Sequence, residues 1–350
     1  MKTIGTFSFD ILTDMFIRGA DVGTAELRAP EIRGVLRWWF RVLGGFKALE
    51  GDTREQELSI FGGIVPPKQQ GRSGRKDAAI RSDLIVRVTR APVRKAAKMA
   101  NDYFLFSLKD KEAGYFPPAD DAFEVTVLWN GPEAYIQPLK ALITVFGELG
   151  SLGMRTRRCM GAIAFAKGTP APMPLSEALN CFNNPKGIEI KEKVGQYPNA
   201  QAIVTDMKDW LRGWRSFGPK ENRNTGPGKK YAERDHDFGG EFNESRSIPP
   251  YRPALGLPIV QHFSSCRKTI TWNFEQNDYS DKKNGRFASP VLLRPKRNKD
   301  GSYSALIVFV EAMRWRDEFR VSLKDKRYEV STDLYDAMRY APELSPWQER

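Results

Sequence analysis

The chain has 350 residues, 41% of them hydrophobic and 28% charged, a size that suits two domains and a composition that argues against wholesale disorder. No uncharged apolar run approaches the roughly 20 residues needed to span a bilayer, and Asp10 cuts short the apolar stretch after Lys2, which argues against a signal peptide. Basic residues outnumber acidic ones 55 to 43, a net +12 that favours a polyanionic partner, nucleic acid before a membrane surface. Cys159, Cys181 and Cys266 are few, scattered and odd in number, as suits a reducing cytoplasm. With only His236 and His262 beside them, no zinc-ligand spacing exists, and no metal is expected.

In chain order, Phe7, Phe9 and Ile11 alternate with Ser8 and Asp10, the pattern of a strand with one buried face. Pro30 opens a helix whose Ile32, Val35, Leu36, Trp39, Phe40 and Leu43 form one apolar stripe, with Gly44 and Gly45 as its stop. Leu84 to Val88 and Phe123 to Val127 read as strands. Tyr135 to Phe146 reads as a helix with Ile136, Leu139, Ile143 and Phe146 on one side and Gly147 as its C-terminal signal, and Met160 to Ala166 as a closing strand. This βαββαβ order predicts an α+β, ferredoxin-like or RRM-like domain over 1–168. Gly168 to Pro174 reads as the boundary before a second domain, 175–350. There a helix is expected near Ala202 to Trp214, and strands near Leu257 to Phe263, Pro290 to Leu293 and Tyr303 to Val310. Residues 216–247 are polar, charged and glycine-rich, and are expected to form a long inserted loop.

Basic residues concentrate in two places. Residues 66–100 carry ten Lys or Arg against Asp77 and Asp83, the stretch 66–83 reading as a flexible basic loop. Arg286 to Lys299 carries five with no acid. A single basic run is more often a solvated face than a site. On the first helix Arg33, Arg37 and Arg41 recur every four residues, opposite the apolar stripe. Gly34 reads as a first-turn glycine, a place where a foreign backbone can approach or where the helix packs closely on the sheet. Trp38, a step from the apolar stripe, is a candidate to stack on an unpaired base, core packing being the commoner use of tryptophan. The strongest local feature is Gly147-Glu-Leu-Gly150-Ser-Leu-Gly153-Met-Arg155-Thr-Arg157-Arg158-Cys-Met-Gly161. Its glycines allow close backbone approach and its arginines supply bidentate phosphate donors. It is neither a Walker loop nor a GxGxxG fingerprint, so no nucleotide cofactor is expected.

These stretches also carry a family resemblance. Leu12-Thr-Asp14-Met-Phe16-Ile-Arg-Gly19-Ala20-Asp21, Ala25 to Trp39 (AELRAPEIRGVLRWW) and Ile60-Phe61-Gly62-Gly63 resemble the first-subunit family of the Cmr complex, within the RAMP superfamily of type III-B CRISPR systems. The glycine-arginine loop resembles that superfamily's signature loop. Arg252 to Pro258 (RPALGLP) and Arg286 to Pro290 (RFASP) resemble the family's second half. The resemblance implies two tandem ferredoxin-like domains in an RNA-guided antiviral effector. In such complexes this subunit holds the 3′ region of the crRNA and helps capture complementary target RNA, beside repeated backbone subunits that cut the target. By resemblance Arg33, Gly34 and Arg37 belong to an RNA-facing helix and Gly150, Gly153, Arg155, Arg157, Arg158 and Gly161 to an RNA-facing loop. Trp38 and Arg41, from their helical positions, and Arg286 and Ser289, from the second-half motif, complete the expected RNA-binding set. Ser151 and Cys159 stand where the family's loop has glycine.

An endoribonuclease is the alternative reading. Asp14, Asp21 and Glu26 are close enough in sequence to suspect a metal site, and His236, between Arg234-Asp235 and Asp237, is a candidate general base. Ordinary turn chemistry and a solvated histidine are the commoner fates of such residues, as a plain turn is for Asp120 and Asp121. The expected protein is a non-catalytic binder without catalytic or metal-ligating residues.

Overall fold

The computed structural model describes residues 1–21, 24–65, 78–98, 102–106, 112–216, 225–241, 250–263, 267–275, 286–323 and 326–348. These fall into two compact units, one chiefly Met1–Ile188 with Arg294–Tyr303, the other Glu189–Leu293 with Ser304–Trp347. The predicted basic loop 66–83 lies mostly outside the described residues, as do 217–224 and 242–247 of the predicted long loop and Cys266.

The first unit begins with β1 (Lys2–Ile11), α1 (Ala29–Val42) and α2 (Thr53–Phe61). A short hairpin of β2 (Gly63–Val65) and β3 (Ala78–Ile80) follows, then β4 (Leu84–Arg90) and a second hairpin of β5 (Lys95–Lys98) and β6 (Glu112–Tyr115). β7 (Ala119–Trp129), α3 (Ile136–Leu149), β8 (Ile163–Phe165) and α4 (Leu175–Asn180) complete it. The main sheet runs β4-β7-β1-β8, each neighbouring pair antiparallel. Alternation puts Phe9, Phe123 and Phe165 on one face, where the Phe9 ring lies 5.1 to 5.4 Å, centroid to centroid, from those of Phe165, Phe123 and Phe146 of α3. α1 buries Ile32, Leu36, Trp39 and Phe40 of the stripe its periodicity predicts, and Leu43 just beyond its end, while Val35 is half-buried and Val42 is buried in addition.

Three local differences have physical reasons. α3 continues past Gly147 to Leu149 and is capped at Gly150, because a Cβ on Gly147 would lie 2.2 Å from the Phe165 ring, so that glycine serves packing within the helix. α2 has no apolar periodicity and is set instead by a capping box in which Asp52 accepts from Arg54 N and Glu55 N while Glu55 accepts from Asp52 N. Gly168 to Pro174, expected as the boundary, belongs to the first unit, since α4 immediately after it packs on α3.

The second unit contains β9 (Glu189–Tyr197), α5 (Ala200–Arg215), α6 (Lys229–Glu241), β10 (Ile259–Phe263) and β11 (Lys268–Glu275). β12 (Val291–Arg297) and β13 (Tyr303–Phe309) follow, the tip between them grouping with the first unit. β14 (Arg320–Leu323), β15 (Lys326–Tyr328), α7 (Asp333–Arg339) and β16 (Leu344–Pro346) end the chain. One sheet runs β12-β13-β9-β16 and a second β10-β11-β14-β15. Taken as β9, α5, β12, β13, α7 and β16, the first of these repeats the spatial order of the first unit, second-third-first-fourth. The other sheet and α6 are insertions in that plan.

Within the expected loop 216–247, residues 229–241 are helical rather than irregular. Tyr231, Ala232 and Asp235 are buried on α6, and Phe238 packs on Trp272 and Tyr328 at 5.7 and 5.1 Å. The stripe escapes a hydrophobicity reading because one of its positions is an aspartate. Asp235 accepts from Tyr251 N and Arg252 N at 2.8 and 2.9 Å, so its burial satisfies two backbone donors. Burial pushes its carboxyl above the ordinary value against the opposing pull of Arg252.

Candidate nucleic-acid interface

The first unit brings the two predicted RNA-facing segments together. Arg157, from the loop after α3, places its guanidinium 5.1 Å from the ring centroid of Trp38 on α1. This cation–π pair joins residues more than a hundred positions apart. Burial pulls the Arg157 pKa down to about 10, which still leaves it charged at neutral pH. Trp38 also meets Trp39 edge to face at 4.7 Å; Trp39 is buried and Trp38 only half-buried, so the pair spans from core to surface.

Around Trp38 the helix carries Gly34 and Arg41 one turn either side, with Arg37 immediately before it. Gly34 is exposed, and a Cβ built on it meets nothing within 4 Å. Packing of helix on sheet therefore does not account for it. The helix begins at Ala29, so Gly34 lies in the second turn, not the first, and its N–H falls within the internal ladder. A glycine costs about 1 kcal/mol relative to alanine inside a helix, and here the protein's own fold gives no compensating contact. Arg33 beside it is exposed, without a carboxylate partner among the described residues.

Arg37 and Arg41 differ from Arg33. Both bond to Glu57 of α2, Arg37 through Nε and Arg41 through Nε and Nη2 at 2.6 Å each. The Glu57 side chain is only 9% exposed, against 31% and 56% for the two arginines. Burial pushes the Glu57 pKa up, yet the hydrogen bonds from Arg41 and Arg37 outweigh it and hold the group below its ordinary 4.5. Among the described residues, the expected three-arginine stripe is thus one unpaired cation and two that share a carboxylate. Glu57 escapes a sequence reading because nothing local marks a buried glutamate. Since a lowered carboxyl pKa stabilises above the unfolded value and loses that effect as pH falls through the folded one, Glu57→Gln is expected to cost about 2 kcal/mol near pH 7. The deficit should fade in strong acid, where the native carboxylate is itself protonated. Urea unfolding at pH 7 and pH 3 checks this, and an equal deficit at both would refute it.

The glycine-arginine loop is shaped mostly by its own chain. A Cβ on Gly150 would lie 2.1 Å from Phe146 O, on Gly153 2.4 Å from Phe16 O, and on Gly161 1.9 Å from Leu152 O. Gly153 and Gly161 also have φ of +91° and +64°, where side chains are strained. Close approach by the protein's own backbone thus accounts for these glycines. Arg155 (φ +62°) and Cys159 (φ +63°) share the left-handed conformation. Cys159 therefore keeps a glycine-like backbone, with its carbonyl accepting from Thr13 Oγ1 at 2.5 Å. Arg155 and Arg158 are half-buried, and Arg158 donates to Arg157 O at 3.2 Å.

Arg286 and Ser289 belong to the second unit; Arg286 is exposed, and Ser289 is buried with its hydroxyl 3.3 Å from Val291 N. Asp14 is held above the ordinary carboxyl value by burial, with Lys95 opposing. Glu26 accepts from Ala20 N at 3.2 Å, and Asp21 is exposed in the same turn. His236 sits on α6, 3.7 Å from Asp237, rather than in a loop. Asp120 and Asp121 start β7, where Asp121 pairs with Arg90. Among the described residues, no three His, Cys, Asp or Glu side chains are grouped as metal ligands, and no helix is long and apolar enough to cross a membrane.

The matching family model decides the relationship, since it spans residues 8–164, from β1 through α1 and the glycine-arginine loop to β8, and is described as the RAMP superfamily. The first unit is a RAMP-superfamily domain. Over 183 residues the chain is 27% identical to CRISPR system Cmr subunit Cmr1-2 of Pyrococcus furiosus, covering 45% of this chain and 92% of that protein. Over 261 residues it is 26% identical to Cmr1-1 of the same organism, covering 67% of this chain and 70% of that one. The crystal structure of apo Cmr1 from Pyrococcus furiosus superposes with a TM-score of 0.53 at 15% identity, over 97% of both chains. The RAMP domain and its Cmr1-like continuation thus share the mixed α/β architecture of that subunit.

Proposed function

We propose that this chain is a non-catalytic RNA-binding subunit of a type III-B CRISPR effector, holding the 3′ region of the crRNA and helping capture complementary target RNA beside other Cmr subunits in the cytoplasm. The repeated second-third-first-fourth strand order supports reading both units as ferredoxin-like. The observation that carries the RNA-binding reading is the exposed, unpacked Gly34 between Arg33 and the Trp38–Arg157 pair. A phosphate backbone can approach the helix at Gly34, with Arg33 as its counter-charge and the Trp38 edge beside an unpaired base. Sequence is then read by guide–target pairing and not by the protein.

Gly34→Ala tests this with opposite signs. Alanine removes the helical cost of glycine, so the fold should gain about 0.5–1 kcal/mol, while the added methyl should weaken RNA binding roughly tenfold, or about 1.4 kcal/mol. Arg33→Ala should weaken binding and flatten its salt dependence by about one phosphate contact. Thermal unfolding and a gel-shift salt series with labelled single-stranded RNA, free and annealed to its complement, supply the readouts. Unchanged affinity in both variants would overturn the assignment, and shortened RNA in the same tubes would contradict the non-catalytic reading.

A further inference from the structure

Within the first unit a second basic feature is formed by residues other than those of the Trp38 face. A cleft of about 600 Å³ opens between the end of β8, the proline-rich Gly168–Pro174 segment and the β12–β13 tip. Its walls include Phe165, Pro170, Pro172 and Met173, and its cations are Lys167, Arg294, Lys296, Arg297 and Lys299.

These cations are not equivalent. Arg297 pairs with buried Asp10, and Lys296 lies 3.2 Å from Glu148, so both are compensated. Arg294 is only 2% exposed. It donates to the carbonyls of Ile163 at 2.8 Å and Pro295 at 3.1 Å, while its Nη1 has no hydrogen-bond partner among the described residues. No carboxylate there lies within ion-pair distance of it, of Lys167 or of Lys299, and both lysines are exposed. A buried guanidinium with an orphan donor beside a cleft asks for an anion. The apolar wall and the volume suit something larger than an inorganic ion.

We propose that this cleft binds one nucleotide of a single-stranded RNA, its phosphate reached by Arg294, Lys167 and Lys299 and its base or sugar lying on the Phe165 and proline wall. The site rests on the RNA-binding reading above and adds a second contact to it, where Arg286–Lys299 looked in sequence like a solvated basic run.

The test uses the full chain and a labelled uridine tetranucleotide, with uridine monophosphate as competitor. Lys167→Ala/Lys299→Ala changes only exposed side chains and is expected to weaken tetranucleotide binding about tenfold, with a shallower salt slope. Arg294→Met is expected to do the same, but the exposed double variant carries the result, because loss of Arg294 can also perturb the fold. Wild-type affinity in the lysine variant, with Gly34→Ala still weakened, would overturn the cleft and leave the Trp38 face standing. Wild-type affinity in all three would overturn both. Competition by the mononucleotide as effective as by unlabelled tetranucleotide would show that the cleft takes free nucleotide, against an RNA chain as its source.

Discussion

Asp10→Ala is expected to destabilise the first unit by about 3–5 kcal/mol, the range for breaking one side of a buried ion pair. Asp10 is 1% exposed although it lies on the nominally polar side of β1. It accepts from Asp121 N and pairs with Arg297, whose Nη2 also donates to Phe165 O at 2.9 Å. Removing the carboxylate strands a guanidinium that is itself only 10% exposed, with Asp120 at 3.5 Å as its remaining acid. Most of the loss should therefore come from Arg297 and not from Asp10. Asp10→Ala/Arg297→Met is expected to recover much of it, since apolar replacement of both partners removes the stranded charge. Denaturant unfolding of the two single variants and the double completes the cycle, and strict additivity would disprove the coupling.

Gly161→Ala is the second large effect, expected at about 2–4 kcal/mol. The left-handed conformation costs a side chain roughly 1–2 kcal/mol, and the new Cβ would sit 1.9 Å from Leu152 O, an overpacking that typically costs about 1–3 kcal/mol. The backbone cannot simply yield, because Gly161 N donates to Asp14 O and Gly161 O accepts from Leu152 N, both at 2.9 Å. For a unit of this size the loss corresponds to a fall in Tm of about 5–15 °C, read by a thermal scan. A Tm within a degree or two of wild type would show that the loop relaxes freely. Gly34→Ala contrasts with it, since Gly161 is required by the protein's own backbone and Gly34 by nothing among the described residues.

Much of the first unit was legible because its determinants are local. Period-two alternation in β1 and β7 and the stripe of α1 report which face is buried without saying against what. Helices whose buried positions are polar were not legible. Gln56 and Glu57 of α2 and Asp235 of α6 are inside, and they break the apolar pattern on which periodicity depends. The glycine-arginine loop was recognisable by composition, yet its glycines answer to Phe146, Phe16 and Leu152 carbonyls, neighbours that composition does not name.

Short windows of sequence suffice for the four main strands and for α1 and α3 of the RAMP domain, for the basic balance and for the residues that carry the family resemblance. Which charges act is set by packing between distant segments. Packing sets Arg157 over Trp38, gives Arg37 and Arg41 to Glu57 and draws Arg297 onto Asp10, while among the described residues Arg33 has no carboxylate partner and Arg294 keeps one free donor. Each of these depends on an encounter between segments that periodicity treats independently. A charge becomes a site or a structural tie according to the partner that burial brings to it, and that partner is chosen by packing rather than by sequence spacing.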